Sequence, residues 1–239
     1  ILLLTLITPI SSSSTSLNFC SSPVAWHIIG GRSAVLSKWP WQSLFFNYAS
    51  DGYSTMCGAT VLNEKWLLTA AHCVMNATSR SYVNVGVKSL DVAKKTLKIS
   101  QIIIHPQFNL ATVQNDIALL QVAKSIPIGA EVQPTCLIED DSYLVKNSYS
   151  GIVTGFGVSI DASSSVLVIE EPSNFLLESE VPLIDPFKCA KNWKMLSGGA
   201  VNINTKKQLC AGSYFHGTAS GDSGGPLHVL DGSGNYVQV

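Results

Sequence analysis

The sequence predicts an all-β protein, and three observations carry that reading. Between Leu44 and Leu120 the apolar runs are short and broken by turn residues: Val61-Leu62, Trp66-Leu67-Leu68, Val83 to Val87, Leu97 to Ile104 and Ile117 to Val122. Runs of that length and spacing are those of strands in a sandwich or barrel. Helical periods are few. No internal repeat or low-complexity domain interrupts the pattern, and 239 residues suffice for one large core or two small lobes.

Charge and cysteine content narrow the class. With a net charge of -1 and only 13% charged residues, nothing points to a nucleic-acid partner or an acidic lipid surface. Hydrophobic residues make up 46%, part of them in the first ten positions. Six cysteines, an even number, in a chain that reads as exported favour disulfides over a metal. No C-x-x-C pair is present, so zinc ligation is a weak reading.

Taken in order, Ile1 to Ile10 is an apolar run followed by Ser11 to Ser14. It is too short to span a bilayer and suits the h-region of a secretory signal peptide, with a membrane anchor or a buried strand as the competing readings. Without an initiating Met or a basic n-region, the sequence is expected to begin inside the signal, taken as residues 1–16. Small residues at Ser12 to Ser16 suit cleavage. The strand-rich stretch from Leu44 follows, and Asn76-Ala77-Thr78 within it is a glycosylation sequon on Asn76. Ile126 to Tyr149, punctuated by Pro127, Pro134 and Asp140-Asp141, reads as a crossing segment. Val158 to Ser173 is Ser-rich and reads as an exposed loop. Phe187 to Trp193 reads as a short helix and Leu209 to Gly212 as the next strand.

Three motifs carry chemistry. Gly221-Asp222-Ser223-Gly224-Gly225-Pro226 sets a serine on a glycine-rich turn where backbone N–H groups can face a developing oxyanion. Alone it reads as a surface turn. Leu68-Thr69-Ala70-Ala71-His72-Cys73 and Asn115-Asp116-Ile117-Ala118-Leu119-Leu120 each set one polar side chain against apolar sequence, where an unpaired polar group would be costly. A serine nucleophile needs a base, and the base needs an acid to fix its tautomer. In this chain order and context, His72, Asp116 and Ser223 resemble the triad of trypsin/chymotrypsin-family serine proteases, over nearly all of Ile28 to Val239.

The resemblance implies two six-stranded antiparallel Greek-key β-barrels, the second incomplete. Residues 17–27 become a propeptide, and residues 28–239 a protease domain lacking its C-terminal end, so that the polypeptide as written is expected to be poorly stable and of little activity. Ile28-Ile29-Gly30-Gly31, supported by Trp39-Pro40-Trp41-Gln42, resembles the N-terminus exposed on activation. The freed amine would pair with Asp222 and turn the Gly221 and Ser223 N–H groups into an oxyanion hole. His27 stands where the family carries Arg or Lys, which implies an activating protease of different preference, or a chain that is never activated. Leu227 to Val239 resembles a hairpin turning at Asp231 to Asn235, and Val153-Thr154-Gly155-Phe156-Gly157 the opening of the second barrel.

By the same resemblance Cys57 pairs with Cys73, Cys189 with Cys210, and Cys20 with Cys136, the last tying the propeptide to the body. Gly151 and Val229 stand at both ends of a family bridge that is absent, and Ala219 replaces a pocket cysteine. Gly217 occupies the floor of the specificity pocket and carries no charge, which implies a neutral, chymotrypsin- or elastase-like preference. No metal or organic cofactor is needed. The expected partners are protein or peptide substrates, an activating protease and protein inhibitors, with neither nucleic acid nor membrane, and the protein is expected to be a secreted, extracellular monomer. The alternative is a non-catalytic homologue that binds a partner in a proteolytic cascade. A structural β-domain has no reason for three such motifs, and an α/β-hydrolase esterase would show a Ser-Asp-His order.

Overall fold

The computed structural model describes residues 32–92, 95–158, 172–213 and 217–239. Six strands form the first lobe: β2 (Gln42–Tyr48), β3 (Ser54–Val61), β4 (Trp66–Thr69), β5 (Tyr82–Val85), β6 (Lys95–Ile104) and β7 (Ala118–Val122). They close into an antiparallel barrel in the order β2-β3-β4-β7-β6-β5. The sequence specifies this through period-two burial: Val83 and Val85 of β5, and Ala118, Leu120 and Val122 of β7, point inward while their neighbours do not. Leu44, Phe45, Ala59, Val61 and Leu67 complete the core. The β6–β7 ladder shifts register between Ile99 and Gln101, the bulge by which a barrel strand turns its corner.

The second lobe is an antiparallel sheet ordered β1-β9-β8-β11-β12, from β1 (Arg32–Ser33), β8 (Ser150–Gly155), β9 (Leu177–Ile184), β11 (Leu227–Leu230) and β12 (Tyr236–Gln238). The short β10 (Cys210–Ala211) pairs with the far end of β9. The chain is therefore all-β with one closed barrel and a second, open sheet, as the chymotrypsin-like expectation requires. The hairpin of β11 and β12 turns where expected, with the Asp231 carboxylate accepting the Ser233 and Asn235 N–H groups at 2.8 Å each.

Among the described residues, two α-helices punctuate this lobe. The expected helix at Phe187 to Trp193 is α2 (Pro186–Leu196), started by Pro186 and by Asp185, whose carboxylate accepts the Lys188 N–H at 2.8 Å. The crossing segment holds a helix the sequence reading did not anticipate, α1 (Ser142–Asn147). It is six residues long with no buried residue, so it leaves no apolar periodicity to read.

A buried polar and aromatic seam joins the lobes. Trp39, Trp41, His228 and Tyr236 pack ring on ring, with Trp39 and His228 stacked at 4.6 Å. Trp41 Nε1 donates to His228 Nε2 at 2.6 Å, and Thr154 Oγ1 to Gln42 Oε1 at 2.7 Å. Glu178 accepts from Trp39 Nε1 at 2.5 Å and from Lys38 Nζ at 2.8 Å. The two indole N–H groups, Thr154, Gln42 Oε1 and Glu178 each have a partner across the seam, which makes their burial tolerable, while His228 Nδ1 is buried with no hydrogen-bond partner among the described residues. Among the described residues no helix is long and apolar enough to cross a membrane.

Candidate active site

His72 opens a 3-10 turn, His72–Val74, just after β4, and Cys73 within that turn is bonded to Cys57 of β3. The turn is thereby stapled to the barrel wall. Asp116 sits two residues ahead of β7, which pairs along β4, so adjacent strands deliver the base and the acid to one end of the barrel. The Asp116 carboxylate takes two donors from His72: Oδ2 lies 2.6 Å from His72 Nδ1, and Oδ1 accepts the His72 backbone N–H at 2.8 Å. This holds Nδ1 protonated and leaves Nε2, 3.6 Å from Cys73 Sγ, as the proton acceptor.

The electrostatics follow. The hydrogen bond to Asp116 raises the His72 pKa above its ordinary 6.5, against the opposing effect of partial burial. Burial pushes the Asp116 carboxyl up, but its bonds from the His72 ring and from the His72 and Ala71 backbone outweigh that and hold it below the usual carboxylate range. The pair therefore favours imidazolium beside carboxylate, the state that a general base passes through after taking a proton.

Ser223 reaches this corner from the second lobe. Its carbonyl accepts the Gly58 N–H at 2.8 Å and lies 3.6 Å from Cys73 Sγ, so the serine backbone rests on the residue next to His72 and on β3. No hydrogen bond joins Ser223 Oγ to His72 among the described residues. Gly221 and Gly224 adopt φ of +99° and +78° on either side of it, a left-handed backbone that favours glycine. A Cβ on Gly224 would come within 2.3 Å of Thr69 Oγ1, and one on Gly58 within 2.6 Å of the Gly225 Cα. The serine turn is thus pressed backbone to backbone against β3.

Asp222 turns away from solvent. Its carboxylate accepts from Gly157 N–H at 2.7 Å and Ala219 N–H at 3.0 Å. Burial pushes its carboxyl up, and those two bonds offset that only in part. A small cavity of about 30 Å³ lies beside it, lined in part by Gly155, Gly157, Leu177, Gly217 and Thr218. Gly217, expected at the floor of a specificity pocket, thus shares a cavity with Asp222. Gly155 and Gly157 make room for Asp222, a role the sequence reading missed: a Cβ on either would meet the Asp222 carboxylate, at 2.0 Å and 2.4 Å. The pair of glycines flanking Phe156 was the available signal.

Cys189 is bonded to Cys210, as expected, linking α2 to β10. His27, Ile28 and Cys20 lie outside the described residues, and with Cys20 the expected bridge to Cys136. Asn76 is exposed, at φ +54°. The sulfurs of Cys57 and Cys73 and a ring nitrogen of His72 lie within 4.8 Å of one another, but the sulfurs are bonded to each other and offer no thiolate to a metal.

A strand-delivered His–Asp pair facing a serine turn on a chymotrypsin-like fold defines a class, and comparison with known proteins agrees. The family model described as Trypsin matches residues 28–238, and the chain belongs to this serine protease family. It is 34% identical to mouse (Mus musculus) serine protease 28 over 92% of this chain and 79% of that protein. It is 29% identical to the clotting factor G beta subunit of Tachypleus tridentatus, over 91% of this chain and 70% of that protein. With the serine proteinase stubble of Drosophila melanogaster it shares 29% identity over 87% of this chain but only 26% of that longer protein.

Proposed function

We propose that the protein is a secreted serine endopeptidase, made as a zymogen, that cleaves peptide bonds through an acyl-enzyme. Ser223 Oγ attacks the scissile carbonyl carbon while His72 Nε2 takes its proton; the C–N bond then breaks as His72 returns that proton to the leaving amine. Water hydrolyses the ester by the same route. Asp116 orients His72 and stabilises its charged form. The Gly221 and Ser223 N–H groups would hold the oxyanion, each worth roughly 3 kcal/mol in the transition state. The observation that carries this reading is the pair of hydrogen bonds between Asp116 and His72, at 2.6 and 2.8 Å, beside the serine turn.

Latency is supported by Asp222. A carboxylate that burial disfavours, flanked by a small cavity and two glycines, suits capture of the Ile28 amine freed by cleavage after His27. The uncharged Gly217 supports a neutral P1 preference, and the exposed Asn76 a glycan.

The test is fluorophosphonate labelling, mapped by mass spectrometry, of the full-length gene product carrying His27→Arg, so that trypsin can expose Ile28. Adduct at Ser223 only after cleavage, lost in His72→Ala, is expected. No adduct in a folded protein with a confirmed Ile28 terminus would make it a partner-binding homologue instead.

A further inference from the structure

The residue ahead of the acid is strained and held from both lobes. Asn115 adopts φ +55°, a region that L residues rarely occupy and that Asn tolerates better than most. Its side chain spends both ends of its amide. Nδ2 donates to the Gln107 carbonyl at 2.8 Å and closes the loop from Gln107 to Asn115, which is tied further by Asn109 N–H donating to Gln114 O at 3.0 Å. Oδ1 accepts from Lys207 Nζ at 3.2 Å. Lys207 belongs to the other lobe. It lies in the turn between α2 and β10, where its own N–H donates to Asn204 O at 3.0 Å and the flanking elements are joined by Cys189–Cys210.

We propose that Lys207 is a positioning residue for this site: its ammonium clamps Asn115 from the second lobe and so presents Asp116 to His72 in a single geometry. The inference rests on the triad reading given above. Asp116 follows Asn115 directly, and Ile117 N–H returns to the Asn115 carbonyl at 2.9 Å, so Asp116 is enclosed in that turn. If the Asn115 backbone relaxed toward right-handed angles, the peptide joining it to Asp116 would rotate and spoil one of the two bonds to His72. The loop's internal bonds all lie within the first lobe, whereas, among the described residues of this cluster, Lys207 reaches across from the other lobe with a charged donor. The base–acid pair of one lobe is thereby registered to the lobe that carries Ser223.

The test uses the full-length gene product, activated as above and assayed on peptide p-nitroanilides with aliphatic and aromatic P1 residues. Lys207 is exposed, so its variants should fold. Lys207→Met is expected to lower kcat about three- to tenfold with KM within about twofold, and Lys207→Arg to restore it, since a misplacement remote from the chemistry acts on turnover. Asn115→Gly tolerates the backbone angle but loses the clamp. It should lower kcat alike, and adding Lys207→Met should cost nothing further. In a Ser223→Ala background the proton NMR signal of His72 Nδ1–H should broaden or shift on Lys207→Met. Unchanged kcat and an unchanged signal, or additive losses in the double variant, would overturn the clamp. If Ser223→Ala itself keeps wild-type turnover, the triad reading fails, and the His72 signal alone decides whether Lys207 orients the pair.

Discussion

The Asp222 carboxylate accepts the Gly157 N–H at 2.7 Å, and a Cβ on Gly157 would stand 2.4 Å from the carboxyl carbon. No rotation of a flexible side-chain end relieves this, because Asp222 is also bonded to Ala219 N–H and is half-buried. Gly157→Ala should therefore destabilise by about 1–3 kcal/mol through overpacking. Gly232→Ala, with nothing within 4 Å of the new Cβ, should stay within about 0.5 kcal/mol. Thermal denaturation of both decides this, and equal midpoints would show that the cradle yields freely.

The His72–Asp116 pair sets an acid limb. Only neutral His72 can accept the serine proton, and its pKa lies above 6.5. Activity should therefore fall as pH drops through a midpoint above 6.5. Asp116→Asn removes the bond that raises the pKa, so the midpoint should move down while kcat falls about 10⁴-fold. The pH profile of kcat/KM checks both, and a midpoint unmoved by Asp116→Asn would argue against the pairing.

His228 gives stability its own pH dependence. Its Nε2 accepts the Trp41 indole N–H, so a second proton would face a donor, and burial pushes its pKa down to about 3, with Lys38 adding to the effect. In the unfolded chain it titrates near about 6.5. The depressed folded value means that its contribution is complete above about 6.5 and drains away as pH falls toward 3. Between pH 7 and 4.5 the loss should approach about 2–3 kcal/mol. His228→Gln should flatten that part of the profile in urea denaturation; parallel profiles would assign the pH dependence elsewhere.

Cys57–Cys73 closes a loop of 16 residues around the turn that carries His72. Replacing both with Ala should cost about 3 kcal/mol by loop entropy. It should also reduce kcat, because the turn loses its tie to β3. Unfolding and turnover of the double variant measure the two effects, and a stable variant of unaltered kcat would leave the barrel strands alone holding His72.

Much of this was legible in one dimension. Short apolar runs gave away the strands of the first barrel, because a half-buried sheet writes period two into its residues. The His72 and Asp116 segments stood out because a polar residue inside apolar sequence requires a partner. Gly151 and Val229, expected from the resemblance at the two ends of an absent bridge, prove adjacent: a Cβ on Gly151 would lie 3.6 Å from Val229 Cγ2. What stayed hidden had no local signature. The helix α1 buries nothing, and the purpose of Gly155 and Gly157 depends on a carboxylate more than sixty residues away.

The amino-acid order by itself determined which residues would be inside, which would turn and which carry chemistry, since burial and backbone preference act on each residue with its near neighbours. The tertiary structure alone decided how the lobes meet. Lys207 on Asn115, His228 on Trp41 and Gly58 on the Ser223 carbonyl are pairings across 92, 187 and 165 positions. Such pairs are specified by the packing of whole sheets, where a donor finds its acceptor only after both strands have been placed.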